Sequence, residues 1–459
     1  MNRQTALKTV FTVTPLAVLC ILYGLWLVLE PPAYLESALY GGLVLGLFCL
    51  LYARFVPQCA AYLEKGEEQE EVLCRTHRVG PLEVVRLLFF ILAGRVLMYV
   101  LAYLISLRFN GYTDTFFEVQ KIWADHPDAP RYISIVNKGY AVDVEGQYLN
   151  LLYGPLYPLL IRLFSPFYSS SIRAGFLFSN LNAVLSGLFL YELVLHDRDR
   201  RSARRAVRYF CLLPPTFLLS CVEATGTFML LSIVCVYCAR KKQIALASLF
   251  GGLAAVTQIG GLALVVPVLL EFLAKPAAPL QEGEKNWKRQ LIRWLEGLSI
   301  LLIPAAFGAY LLINRAVSGN LFAFVDYMTA AGRQYTLFCQ AGGSLMDGLI
   351  SAYARYDYQT LLAVWMPGVV CLVVSLGCMI RGHRRQPASY VGYYIAYLLL
   401  TVCTTGLTSI PRTLFACFPG ILSLTSLTRN RWADWGILLM CLLTMGAYLG
   451  MYVLGWPVQ

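Results

Sequence analysis

Leu151-Leu152-Tyr153-Gly154-Pro155-Leu156-Tyr157-Pro158-Leu159-Leu160-Ile161-Arg162-Leu163-Phe164 is apolar enough to be counted as a membrane span. Whether it is one sets the sidedness of everything after it. The rest of the chain makes the question real. Of 459 residues, 58% are hydrophobic and 14% charged, against about 25% charge in an ordinary soluble domain. Mean hydropathy is +0.62. These values exclude a soluble enzyme, a disordered chain, a collagen and a nucleic-acid binder. Apolar runs lie near 10–29, 36–56, 85–107, 172–195, 206–221, 225–239, 243–258, 260–273, 294–315, 360–380, 388–407, 412–428 and 433–454. Many are long enough to cross a hydrocarbon core of about 30 Å. The first follows Arg3 and Lys8 but has no convincing small-residue cleavage site, so it is read as a retained helix.

The charges decide the question. With thirteen spans and the N-terminus inside, 26 of the 37 Lys and Arg fall on inner segments and 10 on the longer outer ones, with Arg95 inside a span. That is the asymmetry of the positive-inside rule. Counting 151–164 as a further span would put the six arginines of 198–208 outside. Residues 149–168 are therefore expected to be a re-entrant or surface-lying piece of the first long outer loop. The fold expected is all-α and polytopic. An N-terminal transmembrane hairpin (1–57) is followed by a cytoplasmic linker (58–84) carrying the mixed charges of Glu64–Glu71. A membrane domain (85–430) with outer loops 108–171 and 316–359 comes next, and a C-terminal helix closes the chain (431–459). The fourteen cysteines, several inside apolar runs, are expected to act as small hydrophobes. With four scattered histidines, they suggest neither a zinc site nor a disulfide framework.

The first outer loop holds six acidic residues, Asp114, Glu118, Asp125, Asp128, Asp143 and Glu145. Its centre reads Trp123-Ala-Asp125-His-Pro-Asp128-Ala-Pro-Arg131-Tyr132, and Gly139-Tyr140 follow. Asp125, Asp128 and Arg131 are three apart, so one helical turn would put them on one face. Spacing alone leaves two readings open, a solvated loop with a helix cap and a site. Arg95 is a charge inside the membrane, which usually serves a function or meets a partner; Glu192 is a candidate partner. Tyr132, Tyr140, Tyr153 and Tyr157 suit an interfacial aromatic belt, and Tyr157 between Leu156 and Pro158 also suits a sugar face.

These residues also resemble a known family. Asp128-Ala-x-Arg131-Tyr132-x-x-Ile135 with Gly139-Tyr140 is similar to the first outer loop of the GPI mannosyltransferase II (PIG-V-like) family. Gly154-Pro155-Leu156-Tyr157-Pro158-Leu-Leu-Ile-Arg162 resembles its Phe-Pro-Leu-Tyr-Pro-Leu-Leu-x-Arg run. Ser318-Gly-Asn-Leu-Phe-Ala-Phe324 resembles its Gly-Asp-Pro-x-x-Phe element, and Ile410-Pro411-Arg412-Thr-Leu-Phe-Ala-Cys-Phe418-Pro419 its Pro-Arg-Tyr-x-x-x-x-Phe-Pro segment. The four stand in order over about residues 85–430. The chain departs from the pattern at three places. Pro127 precedes Asp128 where the family prefers Trp. Thr225 fills a glutamate position, with Glu223 two residues earlier. Gln258 stands where Thr-Arg-x-x-Gly has arginine.

The resemblance implies a GT-C type glycosyltransferase of the cell membrane, with its active site on the extracytoplasmic side. Such an enzyme takes a sugar, usually mannose, from a polyprenyl-phosphate carrier to a lipid-linked or glycan acceptor. The family's catalytic carboxylate is matched by Asp128, expected as the base on the attacking hydroxyl. The phosphate leaving group needs cations rather than a strong acid, and Arg412, a positive charge at an outer helix boundary, is the phosphate candidate. Asp125 would support the base or hold a divalent metal, the one cofactor left open. Arg131, Tyr132, Tyr140, Tyr157 and Glu223 complete the expected substrate-binding set. Two rivals remain, a transporter or flippase of lipid-linked sugar and a glycan polymerase using a diphosphate donor. Ionisable groups gathered in outer loops rather than at mid-membrane favour the enzyme.

Overall fold

The computed structural model describes residues 3–65, 80–109, 116–124, 128–140, 149–168, 170–274, 286–427 and 430–458. Asp114, Asp125, Asp143, Glu145 and most of the 58–84 linker lie outside them. The described chain is helical. In order come α1 (Arg3–Leu29), α2 (Leu35–Lys65), α3 (Pro81–Phe109), α4 (Ala129–Lys138), α5 (Leu156–Phe164), α6 (Ser171–Asp197) and α7 (Arg200–Leu212). These are followed by α8 (Thr225–Arg240), α9 (Ile244–Thr257), α10 (Val265–Leu273), α11 (Asn286–Ser299), α12 (Leu302–Ser318), α13 (Ala323–Ala330) and α14 (Phe338–Ala354). The last are α15 (Tyr358–Thr360), α16 (Met366–Gly382), α17 (Ala388–Thr401), α18 (Ile410–Ala416), α19 (Phe418–Leu427) and α20 (Arg431–Val453).

Among the described residues, seven helices are long and apolar enough to cross a membrane: Phe11–Leu29, Leu35–Glu64, Pro81–Phe109, Ser171–Asp197, Gln290–Ser318, Tyr358–Arg385 and Arg431–Val453. An eighth is a broken pair, Pro214–Ser220 with Thr225–Arg240, bent by 104°. The thirteen runs in the sequence thus do not correspond to thirteen full-length helices. Runs 206–221, 243–258, 260–273 and 412–428 fall on helices of 6 to 14 residues interrupted by turns. Pro214-Pro215 end α7 and open the 3₁₀ half of the broken pair, as prolines that lack the donor and crowd the preceding turn should.

Residues 149–168 are not a span. A 3₁₀ turn at Leu149–Leu152 leads into α5, whose nine residues at 1.5 Å each cover about 14 Å. Tyr157, Pro158 and Ile161 are buried against α6 and α9, while Leu159, Leu163 and Phe167 are exposed. One face packs on protein and the other is apolar and open, which suits a short helix lying in the membrane interface.

α2 packs along α14 and α16. Tyr40 donates to Val369 O at 2.6 Å, and Arg54 to Ile380 O at 3.0 Å. α17 carries Tyr390, Tyr393, Tyr394 and Tyr397, all buried in the main core. Arg95 does not meet Glu192. Buried on α3, it donates to Thr216 O at 2.8 Å and to Thr216 Oγ1 at 3.3 Å. Thr216 lies in the 3₁₀ half of the broken span, so the guanidinium is satisfied inside the bundle by a backbone carbonyl and a hydroxyl. One Cys-x-x-Cys does occur, Cys235 and Cys238 on α8. Both are buried free thiols, and among the described residues no His, Cys, Asp and Glu gather in a set of three that could hold a metal.

Candidate active site

Asp128 sits at the N-cap of α4, ahead of Ala129 and Pro130, yet its side chain makes no capping hydrogen bond. An aspartate at this position usually caps, for about 1 kcal/mol. Here the carboxylate points elsewhere. Oδ2 lies 2.7 Å from Arg412 Nη1, and Oδ1 accepts from Tyr153 OH at 3.0 Å. Arg412, on α18 behind Pro411, also donates to Glu223. Glu223 stands in the bend between the two halves of the broken span, where Val222 N donates to Trp123 O at 3.2 Å. The Arg412 guanidinium thus joins Asp128 and Glu223, far apart in sequence, and Asp128 in turn holds Tyr153.

The site opens on a cavity of about 350 Å³. Its polar wall holds Asp128, Tyr153, Gln258, Arg333 and Arg412, and its apolar wall Phe307, Phe324 and Met328. The Arg412 guanidinium is shared by two carboxylates, Asp128 and Glu223. Burial, then the charge of Asp128, raises the Tyr153 phenol, so it stays protonated as a donor. Arg333 was not singled out in the sequence. Burial lowers its pKa, with Asp128 opposing, and no ion pair or side-chain hydrogen bond joins it to another described residue. Its position comes from the pairing of two segments distant in sequence. Thr336 N donates to Cys403 O at 3.0 Å, and Thr405 N to Gln334 O at 2.8 Å. Gly406, at φ 62°, lets the segments close, because a Cβ there would lie 2.6 Å from Gly332 O.

Of the other expected residues, Tyr132 lines the cavity. Arg131, Tyr140 and Tyr157 do not. Tyr157 is wholly buried behind Tyr132, ring centroids 5.1 Å apart, with its hydroxyl 2.6 Å from Ser179 Oγ. Tyr140 donates to Tyr153 O at 2.7 Å and so supports the tyrosine that holds Asp128. Gln258, where the family pattern has arginine, faces the cavity beside Thr257 and Gly260. Arg333 brings a cation to the same space from another element. One sequence signal could have found it, since like Arg412 it is a positive charge on a segment read as outer. For a metal, Asp128 and Glu223 are the described carboxylates here, and Arg412 already stands between them.

Gly154 joins the 3₁₀ turn to α5 where the chain touches the end of α9. An added Cβ would lie 2.2 Å from Val256 O and 2.4 Å from Thr257 O. Both are backbone atoms, so neither can step aside cheaply. Gly154→Ala is expected to cost about 1–3 kcal/mol of stability by overpacking. A lowered midpoint in thermal unfolding of the detergent-solubilised protein would register it.

No family model matches the chain. No curated protein matches it in sequence. Among solved structures it is similar to the ArnT of Cupriavidus metallidurans in the apo state, at 12% identity over 70% of this chain and 57% of that one, TM-score 0.42. It is similar also to the Archaeoglobus fulgidus oligosaccharyltransferase AglB in complex with an inhibitory peptide and a dolichol-phosphate, at 13% identity over 81% and 56%, TM-score 0.42. The A. fulgidus oligosaccharyltransferase complex with Zn and sulfate gives 14% over 78% and 53%, TM-score 0.41. The chain spans a little over half the length of these structures.

Proposed function

We propose that this chain is a GT-C type membrane glycosyltransferase. It moves a sugar, mannose by the four-motif resemblance, from a polyprenyl-phosphate carrier to a lipid-linked or glycan acceptor on the extracytoplasmic face of the cell membrane. The observation that carries this reading is Asp128. It gives up its capping role to face a cavity with one apolar wall and two cations. In the transfer, an acceptor hydroxyl gives its proton to Asp128 as its oxygen attacks C1 of the sugar. The bond from C1 to the phosphate oxygen breaks, and the phosphate leaves on the carrier with its negative charge. A single aspartate base with inversion suits this chemistry. Arg412, shared with Glu223, and the phenol of Tyr153 orient the carboxylate. Arg333 is assigned to the phosphate, because it faces the cavity without a protein anion hydrogen-bonded to it.

The direct test is incubation of purified protein with radiolabelled polyprenyl-phosphate-mannose and a membrane extract. A labelled product that has lost the carrier is expected. A label that only changes leaflet while still on its carrier would mean a flippase. Arg333→Ala is expected to raise the KM for the donor at least about tenfold, from loss of a charge-assisted hydrogen bond worth about 1.5–3 kcal/mol. The acceptor KM should stay nearly constant, and an unchanged donor KM would remove Arg333 from the phosphate.

A further inference from the structure

A second cavity, of about 900 Å³, lies between α3, α7 and α20. It is remote from Asp128. Glu83 on its wall accepts from Tyr191 near the C-terminal end of α6 at 2.5 Å, whereas Ser171 at the other end of α6 donates to Asn137 on α4 beside the active site. The 27 residues of α6 span about 40 Å. Three helices give the cavity one stripe each: Glu83, Arg86, Leu87 and Phe90 from α3; Arg201, Arg204, Arg205 and Arg208 from α7; Arg431, Asp434 and Trp435 from α20. Each set follows the three- and four-residue spacing of one helix face.

The charges do not balance. Six arginines line the space with two carboxylates. Glu83 is taken by Arg204 at 3.0 Å and Arg200 at 3.4 Å. Asp434 is taken by Tyr209 OH at 2.9 Å, with Arg208 at 3.5 Å and Arg205 at 3.7 Å. No ion pair among the described residues involves Arg86, Arg201 or Arg431. Arg201 and Arg431 stand in the first turns of α7 and α20, at the positive ends of their helices, which Asp199 and Asp434 offset only in part. Beside the cations the wall turns apolar and outward. Phe90 is 41% and Trp435 64% exposed, and Trp432, one turn away, is 85% exposed. Tryptophan at this level is the mark of a membrane interface.

We infer that this cavity is a binding site for an anionic phospholipid. The phosphodiester headgroup sits among Arg86, Arg201 and Arg431, and the acyl chains run along Phe90 and Trp435. A soluble phosphate would satisfy the arginines but leave the aromatic wall idle, which favours the lipid.

The test is a titration of delipidated, full-length protein in dodecyl maltoside, with bound lipid counted by native mass spectrometry. The probes are phosphatidylglycerol, phosphatidylcholine and inorganic phosphate. Phosphatidylglycerol is expected to bind at least about tenfold tighter than phosphatidylcholine, and phosphate at millimolar concentration should not displace it. Arg86→Ala with Arg201→Ala and Arg431→Ala should weaken phosphatidylglycerol binding about a hundredfold, at roughly fivefold per arginine. Arg381→Ala with Arg384→Ala, exposed cations outside the cavity, should leave it unchanged. If the triple variant does not insert, Arg201→Gln with Arg431→Gln carries the comparison, with an expected loss of about twenty-fivefold. Equal binding of the two lipids, displacement by phosphate, or an equal loss in the Arg381 and Arg384 control would overturn the inference.

Discussion

Asp128→Asn is expected to cut the rate of sugar transfer by about 10²–10⁴, the range a positioned general base contributes. The fold should survive. Asparagine keeps the shape of the side chain, Arg412 retains Glu223, and no helix cap is lost because Asp128 makes none. The loss should fall on kcat, with the donor KM nearly constant, since the phosphate is assigned to Arg333. Steady-state kinetics on protein shown to be monodisperse in detergent would separate the two. Glu223→Gln acts on Asp128 through Arg412, so a smaller loss is expected. An Asp128→Asn protein with full activity would end the catalytic assignment, and an Asn variant that unfolds would show a structural carboxylate instead.

Arg240→Ala should produce the largest loss of stability, about 3–5 kcal/mol, as when one partner of a buried ion pair is removed. Arg240 ends α8 almost fully buried. Its Nε lies 3.0 Å from Asp197 Oδ1 and its Nη1 3.1 Å from Glu271 Oε1. Glu271 has no solvent exposure, and it also receives Lys242 at 2.8 Å, Ser389 at 2.7 Å and Tyr62 at 2.8 Å. Lys242 reaches it from a left-handed conformation at φ 59°, in the turn between α8 and α9. Four segments thus converge on one carboxylate inside a mostly apolar bundle. Without the guanidinium, Asp197 loses its arginine and Glu271 keeps Lys242 alone as a cation. Thermal or denaturant unfolding in detergent measures the effect. A change below about 1 kcal/mol, the worth of an exposed pair, would mean that water reaches the cluster.

Much of this was legible without coordinates. Hydrophobic runs and the placement of Lys and Arg gave the membrane class, and they kept 151–164 from being taken for a span. Both signals are local, being properties of one stretch and its flanks. The sequence also pointed to Asp128, through the motif resemblance rather than its spacing, and to Arg412, a cation on the less basic side; the structure puts the two 2.7 Å apart. Four features were not legible: the break before α8, Arg333 on the cavity wall, Arg95 bound to Thr216 instead of Glu192, and the burial of Tyr157 behind Tyr132.

By itself the sequence determined that this protein lives in a bilayer, that its helices dominate, and which charges are costly enough to need a reason. Solvation fixes those things residue by residue, so they show in composition and order. Only the tertiary structure decided which costly charges meet. A guanidinium at 412 can satisfy any carboxylate within reach, and closure of the bundle, with its bent span and paired segments, selected 128 and 223 and left 333 facing the open space.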